Sequence, residues 1–143
     1  MGLVCSFFGH RDAPSEVFPK IKEAILWLIE ERGASRFLVG THGAFDRMVY
    51  KALCEVRTRY PYIDVCVVLS ALPTGSGEYD NAADTCVPEG LERVPRRAAI
   101  PFRNRWMVLQ SDAVVTYVKW EIGGAAEAQR LARAHGRTVI PLI

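Results

Sequence analysis

The sequence contains no long apolar segment and no excess of charge of one sign. No stretch approaches the roughly 18 consecutive apolar residues of a membrane span, and the N-terminal residues lack the basic and apolar regions of a signal peptide. The 18 Lys and Arg side chains nearly balance 16 Asp and Glu, which gives a formal charge of +2 without a continuous basic run. We therefore predict a cytoplasmic protein and expect neither a membrane nor a nucleic-acid partner.

Cysteine is also scarce, and its spacing carries no metal-site pattern. The four residues are Cys5, Cys54, Cys66 and Cys86, without a C-x-x-C pair. Two of them lie inside apolar runs that we predict to be buried strands. This favours reduced core thiols over a zinc site or a disulfide framework, and we predict no bound metal and no cofactor.

Motifs of the common nucleotide-binding and hydrolase families are missing. Gly9 is not followed by the G-x-G-x-x-G spacing of dinucleotide-binding proteins, and neither a P-loop sequence nor a G-x-S-x-G elbow occurs. A plain NAD dehydrogenase, a P-loop NTPase and a serine hydrolase of that type are therefore disfavoured. No catalytic residue can be assigned from a motif.

The chain does contain a regular alternation of strand and helix patterns. Apolar runs predict five strands, at residues 3–8, 36–39, 63–69, 113–118 and 138–143. Helical spacing of apolar residues predicts four helices, at residues 14–32, 45–56, 103–110 and 125–132. Such alternation is typical of a mostly parallel sheet with helices on both faces. With 143 residues and no linker, the chain is predicted to be a single α/β domain of Rossmann-like type, with about five strands, covering residues 1–143.

The segment from residue 70 to 100 interrupts this alternation. It contains Gly75, Gly77, prolines and scattered charges. A connection of this length in a compact domain is usually functional. We predict a loop or lid that closes over a ligand, without assigning its conformation.

Three glycine-bearing turns follow predicted strands. They are Gly9-His10-Arg11, Gly40-Thr41-His42-Gly43 and Gly123-Gly124. In an open parallel sheet the ligand binds beyond the carboxyl ends of the strands. Each turn leads into a helix whose first N–H groups lack partners, and glycine lets a phosphate approach the backbone. Together the turns predict a phosphate cradle, although each taken alone is compatible with ordinary turn chemistry.

Several side chains near these turns are candidates for contact with a ligand. His10 could hydrogen-bond a ligand or move a proton, and Arg11 beside it suits bidentate contact with phosphate; the alternative for His10 is an exposed imidazole. His42 is a weaker candidate. Asp46 lies in the first turn of its helix, where the dipole favours a carboxylate without any ligand. Asp112 is equally compatible with a position just before a strand.

Five arginines crowd the approach to the predicted helix at 103–110: Arg93, Arg96, Arg97, Arg103 and Arg105. They could face phosphates or form a solvated surface. Trp106 and Met107 in the same helix are compatible with core positions as well as with a site.

Several blocks of the sequence occur in the order seen in one family. They are Ser6-Phe7-Phe8-Gly9-His10-Arg11, Gly40-Thr41-His42-Gly43-Ala44-Phe45-Asp46, Arg103-Asn104-Arg105-Trp106-Met107-Val108, Ser111-Asp112 and Gly123-Gly124-Ala125. This pattern resembles the YpsA-like branch of the SLOG superfamily over nearly the whole chain. The resemblance implies a Rossmann-like fold, related to Lonely-Guy-type phosphoribohydrolases and to the DNA-processing protein DprA. It also implies a pocket for nucleotide-derived ligands such as ADP-ribose or NAD metabolites, and often a homodimer.

The turns and the resemblance together define a predicted ligand-binding site. Its members are Gly9, His10, Arg11, Gly40, Thr41, Gly43, Asp46, Arg103, Asn104, Asp112, Gly123 and Gly124.

Two departures from the resemblance bear on activity. The phosphoribohydrolase signature P-G-G-x-G-T-x-x-E is absent, since Ile122 replaces its proline and Arg130 stands where the catalytic glutamate would fall. Hydrolysis by that mechanism is therefore not expected. Leu109 and Gln110 follow the W-M-V block, where the family often places an acidic residue.

The leading hypothesis is a module that binds or senses a phosphate-bearing, nucleotide-derived small molecule, with Arg11 and Arg103 neutralising its charge. The alternative is a hydrolase of a nucleotide N-glycosidic or phosphoester bond, with Asp46 or Asp112 as base and His10 as partner. That alternative requires a carboxylate of raised pKa inside the pocket. DNA binding by analogy with DprA would require a continuous basic face, which the balanced charge does not predict.

Overall fold

The computed structural model describes residues 2–73 and 84–143, which form one six-stranded sheet with helices on both faces. The strands are β1 (Leu3–Gly9), β2 (Ala34–Val39), β3 (Asp64–Val68), β4 (Thr85–Cys86), β5 (Ala113–Tyr117) and β6 (Thr138–Pro141). The helices are α1 (Phe18–Arg32), α2 (Gly43–Arg59), α3 (Ala99–Gln110) and α4 (Gly124–Ala134). Short 3₁₀ turns lie at Ser15–Val17, Leu91–Arg93 and Arg96–Ala98. No helix among these residues is long and apolar enough to cross a membrane.

All strand pairs are parallel, and the order across the sheet is β4-β3-β2-β1-β5-β6. The chain therefore moves outward from β1 to one edge and then returns to the other side of β1. In open α/β sheets a crevice forms at the carboxyl ends of the strands where the order reverses, here between β1 and β5. The predicted Rossmann-like α/β fold is confirmed, with six strands rather than about five.

Alternate residues of the central strands face two separate cores. Phe7 of β1 and Phe37 of β2 pack in the core that contains α1 and α2. Phe8 and Leu38, their neighbours in sequence, pack in the core that contains α3 and α4. All four side chains are buried, as parallel strands covered on both faces require. A shift of one residue in strand pairing would move each side chain to the opposite core, so the packing fixes the register of the sheet.

Helix α1 starts later than the sequence predicts. Pro14, predicted in the first helical turn, instead precedes the 3₁₀ turn. Pro19 occupies the first turn of α1, where its missing N–H leaves no hydrogen bond unmade. The helix ends at Gly33, whose φ of 70° gives the left-handed conformation of a glycine stop, as predicted.

Part of the segment from 70 to 100 is regular rather than a loop throughout. Strand β4 lies within it, and α3 begins four residues before its predicted start. The start of β4 is held by Asp84, which accepts hydrogen bonds from Arg57 at 2.9 and 2.8 Å and from the Tyr50 hydroxyl at 3.0 Å. Gly75 and Gly77, which were part of the lid prediction, lie outside the described residues.

The expectation of reduced thiols is wrong for two of the four cysteines. Cys66 on β3 and Cys86 on β4 form a disulfide, with Cα atoms 6.1 Å apart. The pairing was missed because β4 was not recognised as a strand beside β3. Cys5 and Cys54 are free thiols, and burial raises the pKa of Cys5 to about 12, which makes its thiol a poor nucleophile.

Reduction of this disulfide should destabilise the domain. The bond joins residues 20 positions apart, and a loop of that length contributes about 3 kcal/mol in the chain-entropy description. We expect the wild type to unfold at a lower temperature in reductant, whereas a Cys86→Ala variant should be insensitive to reductant. Equal wild-type midpoints in both conditions, or no Cys66–Cys86 linked peptide in a non-reducing digest, would contradict the pairing.

Candidate functional site

A cleft of about 320 Å³ opens at the carboxyl edge of the sheet, where the strand order reverses. Nine of the predicted site residues line it: Gly9, His10, Arg11, Gly40, Asp46, Arg103, Asn104, Gly123 and Gly124. Six further residues complete its wall: Phe7, Phe8, His42, Ile100, Met107 and Ala125. The fold therefore brings most of the predicted residues together around one cavity.

Two of the turn glycines serve packing within the protein. A Cβ on Gly9 would lie 2.3 Å from the ring of Phe45, which packs directly against this backbone. Gly43 has a φ of 91°, and a Cβ there would lie 2.5 Å from the Cα of Arg11. These positions need glycine even without a ligand.

The Gly123-Gly124 turn, in contrast, leaves open space. Nothing lies within 4 Å of a Cβ placed on Gly123, and one placed on Gly124 would meet only the Asn104 amide nitrogen, at 3.6 Å. Gly123 is the N-cap of α4 and supplies no side-chain acceptor. Because Gly124 and Ala125 line the cleft, the N-terminus of α4 is open to an anion there.

The N-terminus of α2 is less available than the sequence predicts. The backbone N–H of His42, its N-cap, donates to Oδ2 of Asp46 at 2.9 Å. The N–H of Ala44 donates to the carbonyl of Arg11 at 2.7 Å. The protein itself therefore occupies part of this predicted section of the phosphate cradle.

Arg103 on α3 is the main cation in the cleft wall and is only 3% exposed. Its guanidinium donates to the Thr41 hydroxyl at 3.1 Å, to the Asn104 side-chain oxygen at 3.1 Å and to the Val68 carbonyl at 3.4 Å. These acceptors are all neutral. Within residues 2–73 and 84–143, no carboxylate oxygen lies within 4.0 Å of its nitrogens. Burial lowers the pKa of Arg103, which remains a cation without a paired anion.

Gly40 lies between Arg103 and the one carboxylate of the cleft wall. A Cβ on Gly40 would lie 3.0 Å from Cζ of Arg103 and 2.9 Å from Oδ2 of Asp46. Both neighbours are buried, so neither can move aside at low cost. Glycine at this position therefore permits the observed arrangement of the two charged groups.

Asp46 is a buried carboxylate whose proton affinity is increased. Burial raises its pKa from 3.8 to about 6, while the His42 N–H and then the cations of Arg103, Arg11 and Arg47 act in the opposite direction. The desolvation penalty outweighs these interactions. Asp46 is thus a cleft carboxyl group that can exchange a proton near neutral pH.

His42 is neutral and its tautomer is fixed by its neighbours. Burial, and then the cations of Arg103 and Arg11, lower its pKa. Its Nδ1 lies 3.4 Å from Nη1 of Arg103 and 3.1 Å from the Thr41 hydroxyl. Since a guanidinium can only donate, Nδ1 accepts and the proton lies on Nε2. His42 therefore retains an N–H donor at the cleft wall.

His10 positions a loop rather than standing free as a base. Its Nε2 accepts hydrogen bonds from the backbone N–H groups of Lys119 and Trp120, at 2.7 and 3.3 Å. Burial is the main cause of its lowered pKa, so the ring is neutral. The nitrogen that would act as a base is already occupied, which argues against the proton-transfer role considered for His10.

Asp112 lies outside the cleft, which corrects its inclusion in the predicted site. It directly precedes β5, accepts a hydrogen bond from the N–H of Val4 at 2.9 Å and donates its own N–H to the Val4 carbonyl at 2.8 Å. Both contacts are at the amino ends of β1 and β5, the opposite edge of the sheet from the cleft. Asp112 thus joins β1 and β5 at the edge of the sheet opposite the cleft.

Of the five arginines predicted near α3, only Arg103 turns into the cleft. The other four are exposed: Arg93, Arg96, Arg97 and Arg105. Trp106 packs against the core between the sheet and α3, whereas Met107 is both core and cleft wall. Among the residues that the structure describes, no group of three or more His, Cys, Asp or Glu is placed to hold a metal ion.

Two residues missing from the predicted site, Ile100 and Met107, have a recognisable signal on α3. Ile100, Arg103, Asn104 and Met107 all line the cleft, and their spacing of three, four and seven residues is that of one helix face. The predicted helix began at residue 103, so its first turn was lost from the pattern. A correct start at Ala99 would have shown the whole face.

The sheet is parallel, its strand order reverses beside β1, and a cleft lies at its carboxyl edge. These features define a Rossmann-like α/β domain. No protein-family model and no curated protein matches the sequence. Two solved structures of DNA processing protein A (DprA) are similar in fold. The Streptococcus pneumoniae protein has a TM-score of 0.68 at 14% identity, and the Helicobacter pylori protein, described for its single-stranded DNA binding mode, has 0.71 at 15%.

Each of these matches covers 98% of this chain, which spans 50% of the first protein and 65% of the second. This likeness shows a shared Rossmann-like fold. Assignment to the SLOG superfamily and to its YpsA-like branch remains a prediction.

The role of Gly40 can be tested against that of Gly124. Gly40→Ala should destabilise the domain by about 1–3 kcal/mol, because the methyl group would overlap Asp46 and Arg103. Gly124→Ala should leave the stability unchanged or slightly higher, since its methyl group meets only an ordinary contact in a helix. Urea unfolding of the two variants measures both effects. Equal stability of the two variants would show that Asp46 and Arg103 do not require glycine at position 40.

Proposed function

We propose that this protein binds a nucleotide or nucleotide-derived small molecule of the ADP-ribose or NAD-metabolite type. Its phosphate would lie between Arg103 and the N-terminus of α4. The observation that carries the proposal is the buried Arg103 guanidinium, which has no carboxylate within 4.0 Å among the described residues. A buried charge is costly unless it is paired, and a phosphate in the cleft would supply the missing anion.

The rest of the cleft is compatible with an anionic ligand. Arg11 is a second cation at its wall, and the N-terminus of α4 adds the positive end of a helix dipole. Among the described residues of the lining Asp46 is the only acidic one, and its pKa of about 6 lets it become neutral in mildly acidic solution. A volume of about 320 Å³ is at the lower end of the range for small-molecule sites, which suits a ligand of nucleotide size.

The phosphate chemistry of this cleft is shared by free nucleotides and single-stranded nucleic acids. The Helicobacter pylori structural neighbour is described as binding single-stranded DNA. The balanced charge of the chain is therefore not a sufficient reason to exclude a nucleic-acid partner. We place the small ligand first because the cleft has a limited volume of about 320 Å³, and we include an oligonucleotide in the binding experiment.

Replacement of Arg103 should separate binding from stability. Arg103→Met keeps the length of the side chain and removes a buried charge, but it also removes three hydrogen bonds, so the ligand-free variant should be folded and somewhat less stable than the wild type. The loss of the phosphate partner should weaken binding of AMP, ADP-ribose or NAD at least about tenfold. Titration calorimetry and thermal shift measure the two quantities, since a ligand that binds only the folded state raises its midpoint.

Arg105→Met is the matched control for this experiment. Arg105 lies on the same helix but is exposed and outside the cleft. The Arg105→Met variant should bind every ligand with the affinity of the wild type. If no nucleotide and no oligonucleotide shifts the wild-type midpoint, or if Arg103→Met binds with unchanged affinity, the proposed function is wrong.

The raised pKa of Asp46 supports a second candidate function, hydrolysis of a nucleotide bond. The sequence-based alternative required a cleft carboxyl group of raised pKa, and Asp46 has that property. It would act as a general acid or base on a bound ligand. Against this candidate, the described residues of the cleft lining include no Ser, Thr, Cys or Lys that could act as a nucleophile, and one Asp46 oxygen is engaged by the His42 N–H. We therefore place binding before catalysis.

The pH dependence of stability isolates the ionisation of Asp46. Its pKa is about 6 in the folded protein and near 3.8 when unfolded, so the charged form destabilises the fold by about 3 kcal/mol above pH 6. This penalty diminishes as the pH falls through 6 and disappears below about 4. Asp46→Asn should therefore be more stable than the wild type at pH 8, with a difference that shrinks towards pH 4. A difference independent of pH would contradict the raised pKa.

The same variant tests the catalytic alternative. If the protein cleaves a ligand that it binds, Asp46→Asn should abolish product formation while ligand binding persists, and the wild-type rate should change with an apparent pKa near 6. Chromatography of wild-type protein incubated with each bound nucleotide measures the product. Complete recovery of every bound ligand would exclude hydrolysis of those compounds.

A further inference from the structure

The loop between β5 and α4 exposes two large apolar side chains beside the cleft. Trp120 is 55% exposed and Ile122 is 79% exposed. Neither belongs to the two hydrophobic cores. Single exposed apolar residues are common and need no function, so the argument depends on how Trp120 is held.

Trp120 is the outermost member of a series of rings that begins in the core. Phe45 stacks on Tyr117 with centroids 6.3 Å apart, and Tyr117 meets His10 edge-on at 6.1 Å. His10 in turn stacks on Trp120 at 5.9 Å, with 29° between the planes. His10 therefore covers one face of the indole, while the residue as a whole stays 55% exposed.

The backbone contacts of this loop hold the indole in place. The N–H groups of Lys119 and Trp120 both donate to Nε2 of His10, at 2.7 and 3.3 Å. Further along, the Arg130 guanidinium donates to the Glu121 carbonyl at 2.8 Å. An aromatic ring already fixed in its position loses little conformational entropy when a second ring stacks on it.

The indole also lies close to the proposed phosphate position. His10, on which it stacks, lines the cleft. Three residues further along the chain, Gly123 begins the turn into α4, and three residues span at most about 11 Å. A nucleobase joined to a phosphate through one ribose can span the distance between Trp120 and Gly123.

We propose that Trp120 is the stacking platform for a nucleobase whose phosphate occupies the cleft, an inference that rests on the proposed function. Stacking uses the face of a base and not its hydrogen-bonding edge. The subsite therefore accepts different bases and favours purines for their larger area. The recognised chemistry is a base joined through ribose to phosphate, whether free or within a single strand.

The experiment compares a ligand that has a base with one that lacks it. Titration calorimetry measures AMP and ribose 5-phosphate against the wild type, Trp120→Ala and Trp120→Phe. We expect Trp120→Ala to weaken AMP binding about tenfold, in the range of base–aromatic stacking, and to leave ribose 5-phosphate unchanged. Trp120→Phe should recover most of the loss. Trp27→Ala is the control, since Trp27 is 43% exposed and outside the cleft.

Each result distinguishes this inference from the proposed function. Unchanged AMP binding in Trp120→Ala would overturn the inference, and so would an equal loss for AMP and ribose 5-phosphate, which would mean that Trp120 only holds the loop. If neither compound and no single strand binds the wild type, the proposed function itself fails. Parallel titrations with dAMP and a short oligodeoxyadenylate identify the source of the base. If Trp120→Ala weakens the binding of dAMP or of the oligodeoxyadenylate, the stacking role of Trp120 is supported.

Discussion

The buried guanidinium of Arg103 connects parts of the domain that are far apart in the chain. From α3 it donates to the Thr41 hydroxyl beyond β2 and to the Val68 carbonyl at the end of β3. The helix that forms one wall of the cleft is thereby held against the ends of two strands. The arrangement also constrains its surroundings, because Gly40 has room for a hydrogen atom only and the nearby imidazole of His42 is kept neutral.

The charged groups around the cleft do not balance one another within the described residues. Burial raises the pKa of Asp46 although cations surround it. Burial, followed by the cations of Arg103 and Arg11, lowers the pKa of His42. Arg103 has only neutral hydrogen-bond partners among the described residues. Proteins generally keep such unfavourable groups where a function compensates for their cost. An anion near Arg103 would offset its charge, and through that charge it would alter the proton affinity of both neighbours.

Much of the fold could be predicted because local patterns report burial. The alternation of apolar runs and helical spacing predicted the Rossmann-like sheet. The strand-end turns and the family resemblance together predicted nine residues of the cleft wall. Strand β4 has only two residues and carries no pattern of its own, so neither the sixth strand nor the Cys66–Cys86 bond could be predicted. Asp112 was misplaced because a motif match does not say at which end of a strand a residue lies.

The glycines show a different limit of sequence reasoning. All the turns looked alike in sequence, yet Gly9 and Gly43 pack against other parts of the protein, whereas Gly123 faces open space. The difference depends on Phe45 and Arg11, which approach those turns from elsewhere in the chain. Only the tertiary structure shows which turn has room for a ligand.

The outer strands of the sheet have a consequence for the behaviour of the protein in solution. β4 is two residues long, and β6 is four residues long and ends at the exposed Pro141, which has no N–H to donate. An unpaired strand edge is a template on which other chains can assemble, and short edges with proline offer little length for such pairing. Strand-by-strand extension of the sheet into aggregates is therefore discouraged at both outer strands.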